Sequence, residues 1–436
     1  MLPTSPTYLL LLGPAAIATA LALLTGNVSG AVGLMLLADL VILGLMILDG
    51  LLSRPDLPTI ARKLPHRLSI GRENPITLTL TGKAPSLVQI RDTPPAEHFR
   101  ITPATLTTTL EADSTVDLTH SAFPTYRGQY QWGDIYLRQR SRWRLAWIDR
   151  KIPAQETVAV YPDLLGLRAL TIRMALQSAG ALRQKRRIGI GTEFTELRDY
   201  SMGDDPRLID WKATARRSRP LVRVLEPEQE QTLIIMLDRG RLMTAQVEGL
   251  ARFDWGLNTA LALALTALHR GDKVGFAVFD RAIHTWIPPQ RGQTHLNQLI
   301  DRLTPIQPEL IEPDYMGAVS TLTAQQSRRA LVVMITDLVD QTASAELLGA
   351  MGRLAPRYLP FCVTLRDPLV DRRAKEFASD IEGNYARGVA LDMLKDRAQA
   401  FEKLRRRGVL VLDAPASQVS DQLVDRYLQL KLRNQL

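Results

Sequence analysis

The side chains best able to do chemistry crowd into one stretch, Gly189 to Arg217, GIGTEFTELRDYSMGDDPRLIDWKATARR. Glu193, Glu196, Asp199, Asp204, Asp205 and Asp210 stand among Arg198, Arg207, Lys212, Arg216 and Arg217, with Phe194, Tyr200 and Trp211 interleaved. Asp204, Asp205 and Asp210 are spaced closely enough to gather a divalent cation, as carboxylates do in two-metal nucleases. The arginines offer a simpler fate, bidentate ion pairs, which would make the stretch a charged clamp between neighbouring domains. Gly189-Ile190-Gly191 lacks the third glycine and the preceding strand of a dinucleotide fingerprint, and no Gly-Lys-Ser/Thr ending marks a P-loop.

A second set of carboxylates lies downstream. Asp238 ends the apolar run Thr232–Leu237, and Thr336-Asp337 ends the apolar run Ala330–Ile335. Such runs read as buried parallel strands, and α/β folds place ligands at the carboxyl ends of their strands. Other catalytic patterns are missing. The six histidines (66, 98, 120, 269, 284 and 295) show no metal-ligand spacing, and no G-x-S-x-G elbow occurs. The single cysteine, Cys362, sits within an apolar run, where an inert core thiol is expected. It also excludes an intrachain disulfide and a four-thiolate zinc site.

These residues need elements to position them. Residues 230–436 alternate buried strands with helices: a helix at Arg252–Arg270, a strand at Lys273–Phe279 ending at Asp280, helices near 293–304 and 314–326, a strand at Tyr358–Leu365, a helix at 385–407, a strand at Val409–Leu412 and a C-terminal helix. That alternation predicts a doubly wound α/β domain. Residues 58–163 differ. Ile76–Leu80 and Val116–Thr119 alternate apolar and polar residues, and Val88–Ile90, Ile101–Leu110, Tyr130–Trp132, Ile135–Leu137 and Thr157–Tyr161 add short strand-like runs punctuated by Pro and Gly. The pattern predicts a small antiparallel β-sandwich. Within it, Arg138–Arg150 (RQRSRWRLAWIDR) mixes arginines with Trp143 and Trp147. Such a mixture can bind nucleic acid, rest on an acidic lipid surface, or form a solvated strand edge. Residues 164–229 separate the two modules and begin with helical texture at Leu164–Arg187.

The N-terminus is unlike either. Residues 1–38 hold no charged side chain; the first acids are Asp39 and Asp49, and the first base is Arg54. The overall charge of +9 therefore divides into a base-free N-terminus and a +11 remainder. Two apolar runs, about 8–25 and 31–52, flank the polar turn Gly26–Gly30, and each is long enough to cross a bilayer. The absence of a basic n-region argues against a cleaved secretory signal. A transmembrane hairpin is expected across residues 1–53, with Arg54, Arg62, Lys63 and Arg67 holding both ends in the cytoplasm. The expected localisation is the cell inner (cytoplasmic) membrane, multi-pass, with the soluble domains in the cytoplasm. Asp39 lies in mid-span, where a carboxylate is a functional-site candidate. The plainer reading, preferred because neither span holds a base, is that it is protonated or bonded to the partner helix or another subunit; Asp49 reads as interfacial.

The run from Gly191 to Arg216 closely resembles the hallmark of a large bacterial family, domain of unknown function fifty-eight. The residues that carry it are Gly191, Glu193, Phe194, Leu197, Arg198, Tyr200, Gly203, Asp204, Asp205, Arg207, Ile209, Asp210, Trp211, Ala213, Ala215 and Arg216. Pro124–Gly128 and Asp272–Gly275 also suit that family. The resemblance implies an α/β domain similar to von Willebrand factor type A domains. There, an Asp-x-Ser-x-Ser motif, a threonine and a second aspartate bind a divalent cation. Here the matching segment is Asp238-Arg239-Gly240-Arg241-Leu242, with Gly240 and Leu242 in place of both serines. Asp337 would supply the second aspartate and Thr336 stands beside it; Thr294 or a residue near Asp314 would supply the threonine. Neither glycine nor leucine offers Mg²⁺ a hard oxygen ligand, and Arg239 and Arg241 would oppose a cation. A degenerate site without tight Mg²⁺ binding is expected, its aspartates bonded to backbone amides or arginines.

The function implied is that of a membrane-anchored interaction and assembly factor, not an enzyme and without a cofactor, working with a MoxR-type AAA+ ATPase in chaperone-like or envelope-related maturation. Two other readings compete with it. One is a metal-dependent hydrolase or nuclease built on the acids of 193–210. The other is nucleic-acid binding by the basic surplus, whose mark would be steep salt dependence.

Overall fold

The two apolar runs become helices α1 (Ser5–Thr25) and α2 (Val28–Leu52). Their connection is tighter than the five-residue turn expected. Gly26 closes α1 at φ 70°, a conformation that costs glycine little. The side chain of Asn27 then accepts the Gly30 amide at 3.1 Å, so the second helix starts at Val28. Both helices are long and apolar enough to cross a membrane, and most of their large apolar side chains are exposed.

The computed structural model describes residues 1–95, 97–181, 193–226, 231–338, 344–377 and 380–433. These fall into two units, Met1–Tyr161 and Pro162–Leu436. In the first, strands Thr59–Lys63, Asn74–Thr81, Thr115–Pro124 and Phe99–Thr102 form one sheet. Ala146–Ile152, Ile135–Arg140, Ser86–Asp92 and Leu106–Leu110 form another, extended at its edge by Leu2–Pro3. Leu78 and Leu80 from the first sheet bury against Val88, Ile90, Leu110, Ile135 and Leu137 from the second. The alternation read in Ile76–Leu80 is thus the inward face of a sandwich.

Two details depart from the expected antiparallel sandwich. Arg67–Ser69 pairs in parallel with Glu156–Tyr161, in a third sheet completed by Gly128–Trp132. The threonine-rich run 101–110 is two strands in different sheets. It divides at Pro103, which cannot donate to a ladder.

The second unit begins with α3 (Leu164–Ala181); the basic run Arg183–Arg187 and Gly189–Gly191 lie outside the described residues. After a two-stranded arm that carries α4 (Trp211–Arg217) comes a six-stranded sheet. Its order is Ile283–Gln290, Lys273–Phe279, Thr232–Asp238, Leu331–Thr336, Leu359–Arg366, Leu410–Pro415. The first of these strands is antiparallel, a strand not foreseen from the sequence, and the other five are parallel. Helices α5 (Arg252–His269), α6 (Gln293–Leu303), α7 (Tyr315–Gln325), α8 (Ala345–Leu354), α9 (Pro368–Lys375), α10 (Ile381–Arg406) and α11 (Val419–Leu432) connect and cover it. Ile234, Met236, Ala277, Phe279, Val332, Met334 and Cys362 face α7, α8 and α10, while α5 packs on the sheet with α3, α6 and α11 beside it. The sheet is therefore doubly wound. Its order reverses between Thr232–Asp238 and Leu331–Thr336, where such folds open a crevice at the carboxyl ends.

Asp272, at the start of a parallel strand, ties the far end of this unit together. It accepts the Gln231 amide at 3.0 Å, lies 2.6 Å from the Lys431 ammonium and receives the Tyr427 hydroxyl.

Candidate functional site

Two groups of sequence-predicted residues come together, in two separate places. The first is the arm. Strands Glu193–Asp199 and Leu221–Glu226 pair antiparallel, with Leu197 opposite Arg223 and a bulge between Phe194 and Glu196. The acids between them are spent on local bonds. Asp204 accepts Arg198 Nη2 at 2.5 Å on one oxygen and the Ser201 amide at 2.8 Å on the other. Asp210 accepts the Ala213 amide at 2.9 Å, capping α4, and Arg223 Nε at 2.9 Å. Asp205 accepts the Arg207 amide at 2.9 Å, and Asp199 pairs with Arg219 at 3.1 Å. The Arg198 guanidinium holds the Asp204 carboxyl below its usual range, and the Ala213 amide, with Arg223, does the same for Asp210. All four carboxylate oxygens of Asp204 and Asp210 are thus engaged. Among the described residues, no three His, Cys, Asp or Glu side chains cluster as a metal site.

What the arm presents outward is apolar and cationic. Trp211 is 70% exposed and Met202 fully so, with Leu197 and Tyr200 also at the surface. Arg207, Lys212, Arg216 and Arg217 on the same segment are exposed as well. Gly203 turns the chain at φ 108° between Met202 and Asp204. Glu193 and Phe194 lie in the arm's first strand; their side chains lie outside the described residues.

The second place is the crevice of the six-stranded sheet. Asp238 is fully buried and accepts three bonds: the Gly240 amide at 2.7 Å, Thr336 Oγ1 at 2.6 Å and the Tyr315 hydroxyl at 3.0 Å. Burial pushes its carboxyl above the usual range in spite of those bonds. Asp337, 2% exposed, is clasped by two guanidinium groups, Arg252 Nη1 at 2.6 Å and Arg397 Nη1 at 2.9 Å. Arg397 continues to Asp413 at 2.8 Å. Burial disfavours the Arg397 charge, but Asp337 and Asp413 outweigh it and raise its pKa. A chain of alternating charges thus runs from Arg252 to Asp413 across the ends of the strands.

Gly240 leaves no room for a side chain: a Cβ would lie 2.8 Å from the Ile311 carbonyl oxygen and 2.9 Å from Pro313 Cδ. Leu242 stands in the short turn Arg241–Thr244. One expectation is corrected. Arg239 and Arg241 do not present unbalanced charge to the crevice, because Arg239 pairs with Asp280 and Glu309 at 2.7 Å each and Arg241 with Glu312 at 3.0 Å. The cations on Asp337 are Arg252 and Arg397, which sequence reading missed. A signal for Arg397 existed: it shares the buried face of α10 with Ala390, Ala400, Phe401 and Leu404. Asp413, like Asp238 and Asp337, follows an apolar run. The residue near Asp314 that reaches Asp238 is Tyr315, through a hydroxyl. Cys362 is fully buried one strand away, and burial pushes its thiol up to about 12.

The family model "Protein of unknown function DUF58" matches residues 196–373, from the arm to α9. Among curated proteins, the uncharacterized protein Mb1516 of Mycobacterium bovis and the uncharacterized protein Rv1480 of Mycobacterium tuberculosis are each 25% identical over 182 residues, 41% of this chain. The chain spans about half the length of these relatives, 56%. Among solved structures, the conserved hypothetical protein BatB from Bacteroides thetaiotaomicron matches at 16% identity with a TM-score of 0.33, covering 46% of this chain and 98% of that one. An aerotolerance-related membrane protein from Bacteroides fragilis matches at 16% identity with a TM-score of 0.30, covering 45% and 97%.

Proposed function

We propose, from the match of residues 196–373 to the DUF58 family model, that the protein is a membrane-anchored interaction and assembly factor whose arm engages a protein partner. The observation that carries this reading is the division of labour within the arm. Its aspartates are consumed by caps and ion pairs, while Trp211, Met202, Leu197 and Tyr200 stand at the surface, on the same segment as the exposed Arg207, Lys212, Arg216 and Arg217, which have no carboxylate partner among the described residues. Exposed aromatic, methionine and arginine side chains are the residues enriched at protein interfaces. The α/β unit, read as type A-like with a degenerate cation site, supports the arm. The charge chain at Asp337 does the neutralising that a cation would otherwise do.

In this reading α1 and α2 cross the cytoplasmic membrane as a hairpin, with both units on the cytoplasmic side, and the partner is a MoxR-type AAA+ ATPase. The test is affinity capture of the full chain from native membranes, with and without ATP. An AAA+ ATPase should be recovered with the natural chain and lost with Trp211→Ala, while the thermal midpoint is unchanged. Recovery of no ATPase in either nucleotide state would sink the partner. A Mg²⁺-dependent hydrolysis abolished by Asp204→Ala in a folded protein would favour the hydrolase reading instead.

A further inference from the structure

The foot of the helical hairpin is built into the sandwich by buried polar bonds. Asp49, in the last turns of α2, is 1% exposed. It accepts Ser141 Oγ at 2.5 Å and the amides of Trp143 and Leu145 at 3.0 and 3.2 Å. Ser53 accepts the Arg142 amide at 3.0 Å, and Thr4 and Thr7 donate to the carbonyls of Arg144 and Leu145 at 2.5 Å each. The loop between strands Ile135–Arg140 and Ala146–Ile152 is therefore bonded to both helices where they leave the apolar zone. Arg144 is held there at φ 64°, a strained conformation for a residue with a side chain.

The bonds fix what the loop shows. Trp143 is 52% exposed, and Arg142 keeps its side chain 59% exposed while its Nε pairs with Asp56. Arg54 and Arg144 are exposed and have no carboxylate partner among the described residues. The last turns of α2, which hold Asp49, also carry Ile47, Leu48, Leu51 and Leu52, all about half exposed. An apolar helix surface thus passes, at one level, into a tryptophan and three arginines. Tryptophan seats at the boundary of hydrocarbon and headgroup, and a guanidinium matches phosphate geometry.

We propose that this loop is a headgroup clamp: Arg54, Arg142 and Arg144 bind the phosphates of anionic phospholipids, and Trp143 sits in the interface. The clamp rests on the membrane reading above and adds to it a lipid class and a fixed depth for the Met1–Tyr161 unit. The nearby basic residues of Arg138–Arg150 then serve lipid rather than nucleic acid.

The test uses the full chain in nanodiscs of phosphatidylcholine, with and without phosphatidylglycerol. Brominated acyl chains should quench a fluorescence component that Trp143→Phe removes. Native mass spectrometry should find phosphatidylglycerol adducts that weaken about fivefold per arginine in Arg142→Gln and Arg144→Gln, and about 25-fold in the double variant. Undiminished adducts in the double variant, or an unquenched Trp143 component in a chain that still resists alkaline extraction, would overturn the clamp and leave the hairpin standing. Release of the chain by alkali would overturn both.

Discussion

At the scale of single residues, buried charge decides more than exposed charge. Asp337 is held between Arg252 and Arg397 with almost no access to water. Asp337→Ala would leave the half-buried Arg252 without its anion and the buried Arg397 with Asp413 alone, a change that costs about 3 kcal/mol; denaturant unfolding of the purified chain measures it. Gly240→Ser restores the side chain of the resembled metal motif, but its Cβ would meet the Ile311 carbonyl at 2.8 Å. The expected result is a loss of about 1–3 kcal/mol with no gain in Mg²⁺ affinity by calorimetry. Asp92 of the sandwich supplies a pH test. Arg62 Nη1 lies 2.8 Å from it and the His120 ring 3.3 Å, all three side chains buried. Burial pushes the Asp92 carboxyl up, but His120 and Arg62 outweigh it and hold it below 3.8. A lowered carboxyl contributes stability that is present above the unfolded value and lost as pH falls through the folded one. Unfolding followed by tryptophan fluorescence should therefore begin below about pH 4, and Asp92→Asn should flatten that dependence. Asp238 has the opposite sign. Its raised carboxyl favours folding only at low pH and cannot cause acid lability.

At the scale of elements, a few side chains set where each begins, ends and attaches. Asp210 starts α4 by accepting the Ala213 amide and also holds Arg223 on the opposite strand. Asp210→Ala should remove the cap, seen as faster amide exchange in 211–217 with the six-stranded sheet unaffected. Asp49 does comparable work for the loop 141–145. Asp49→Ala should leave the Trp143 and Leu145 amides without acceptors, at about 1–3 kcal/mol each; their hydrogen exchange should accelerate while that of the inner strands does not. If those two amides stay protected, the hairpin is held by something other than this carboxylate. The arm strands Glu193–Asp199 and Leu221–Glu226 and the edge strand Ile283–Gln290 were not legible from patterning. The arm is rich in charge because one ribbon pairs its acids with its own arginines, and Ile283–Gln290 carries two prolines, which a sheet tolerates only at its edge.

At the scale of the whole molecule, the charge division seen along the chain gains a physical partition. Arg62 was read as a topological cation following α2, yet its side chain is 0% exposed and paired with Asp92. In the proposed orientation, Arg54, Lys63 and Arg67 are the exposed cations that would hold the foot of the hairpin in the cytoplasm. A chain carrying Cys362→Ala and a single new cysteine at Asn27 should be labelled only from outside the cell by an impermeant maleimide. One with the new cysteine at Lys375 should be labelled only after lysis. Reversed labelling would refute the cytoplasmic orientation.

The sequence by itself determined the apolar helices, the period-two strands of the sandwich and the parallel strands that end in Asp238 and Thr336-Asp337. Each of these follows from local periodicity and from the cost of leaving backbone groups unpaired. It also carried the arm's composition, without saying whether the acids would gather a cation or pair with arginines. The tertiary structure alone decided those partnerships: Asp337 with Arg397, 60 residues away; Asp49 with Leu145, 96 away; Arg62 with Asp92, 30 away. Which charges meet depends on how strands and helices stack, and no local pattern records that. A buried carboxylate must find its partner wherever the packing brings one within reach.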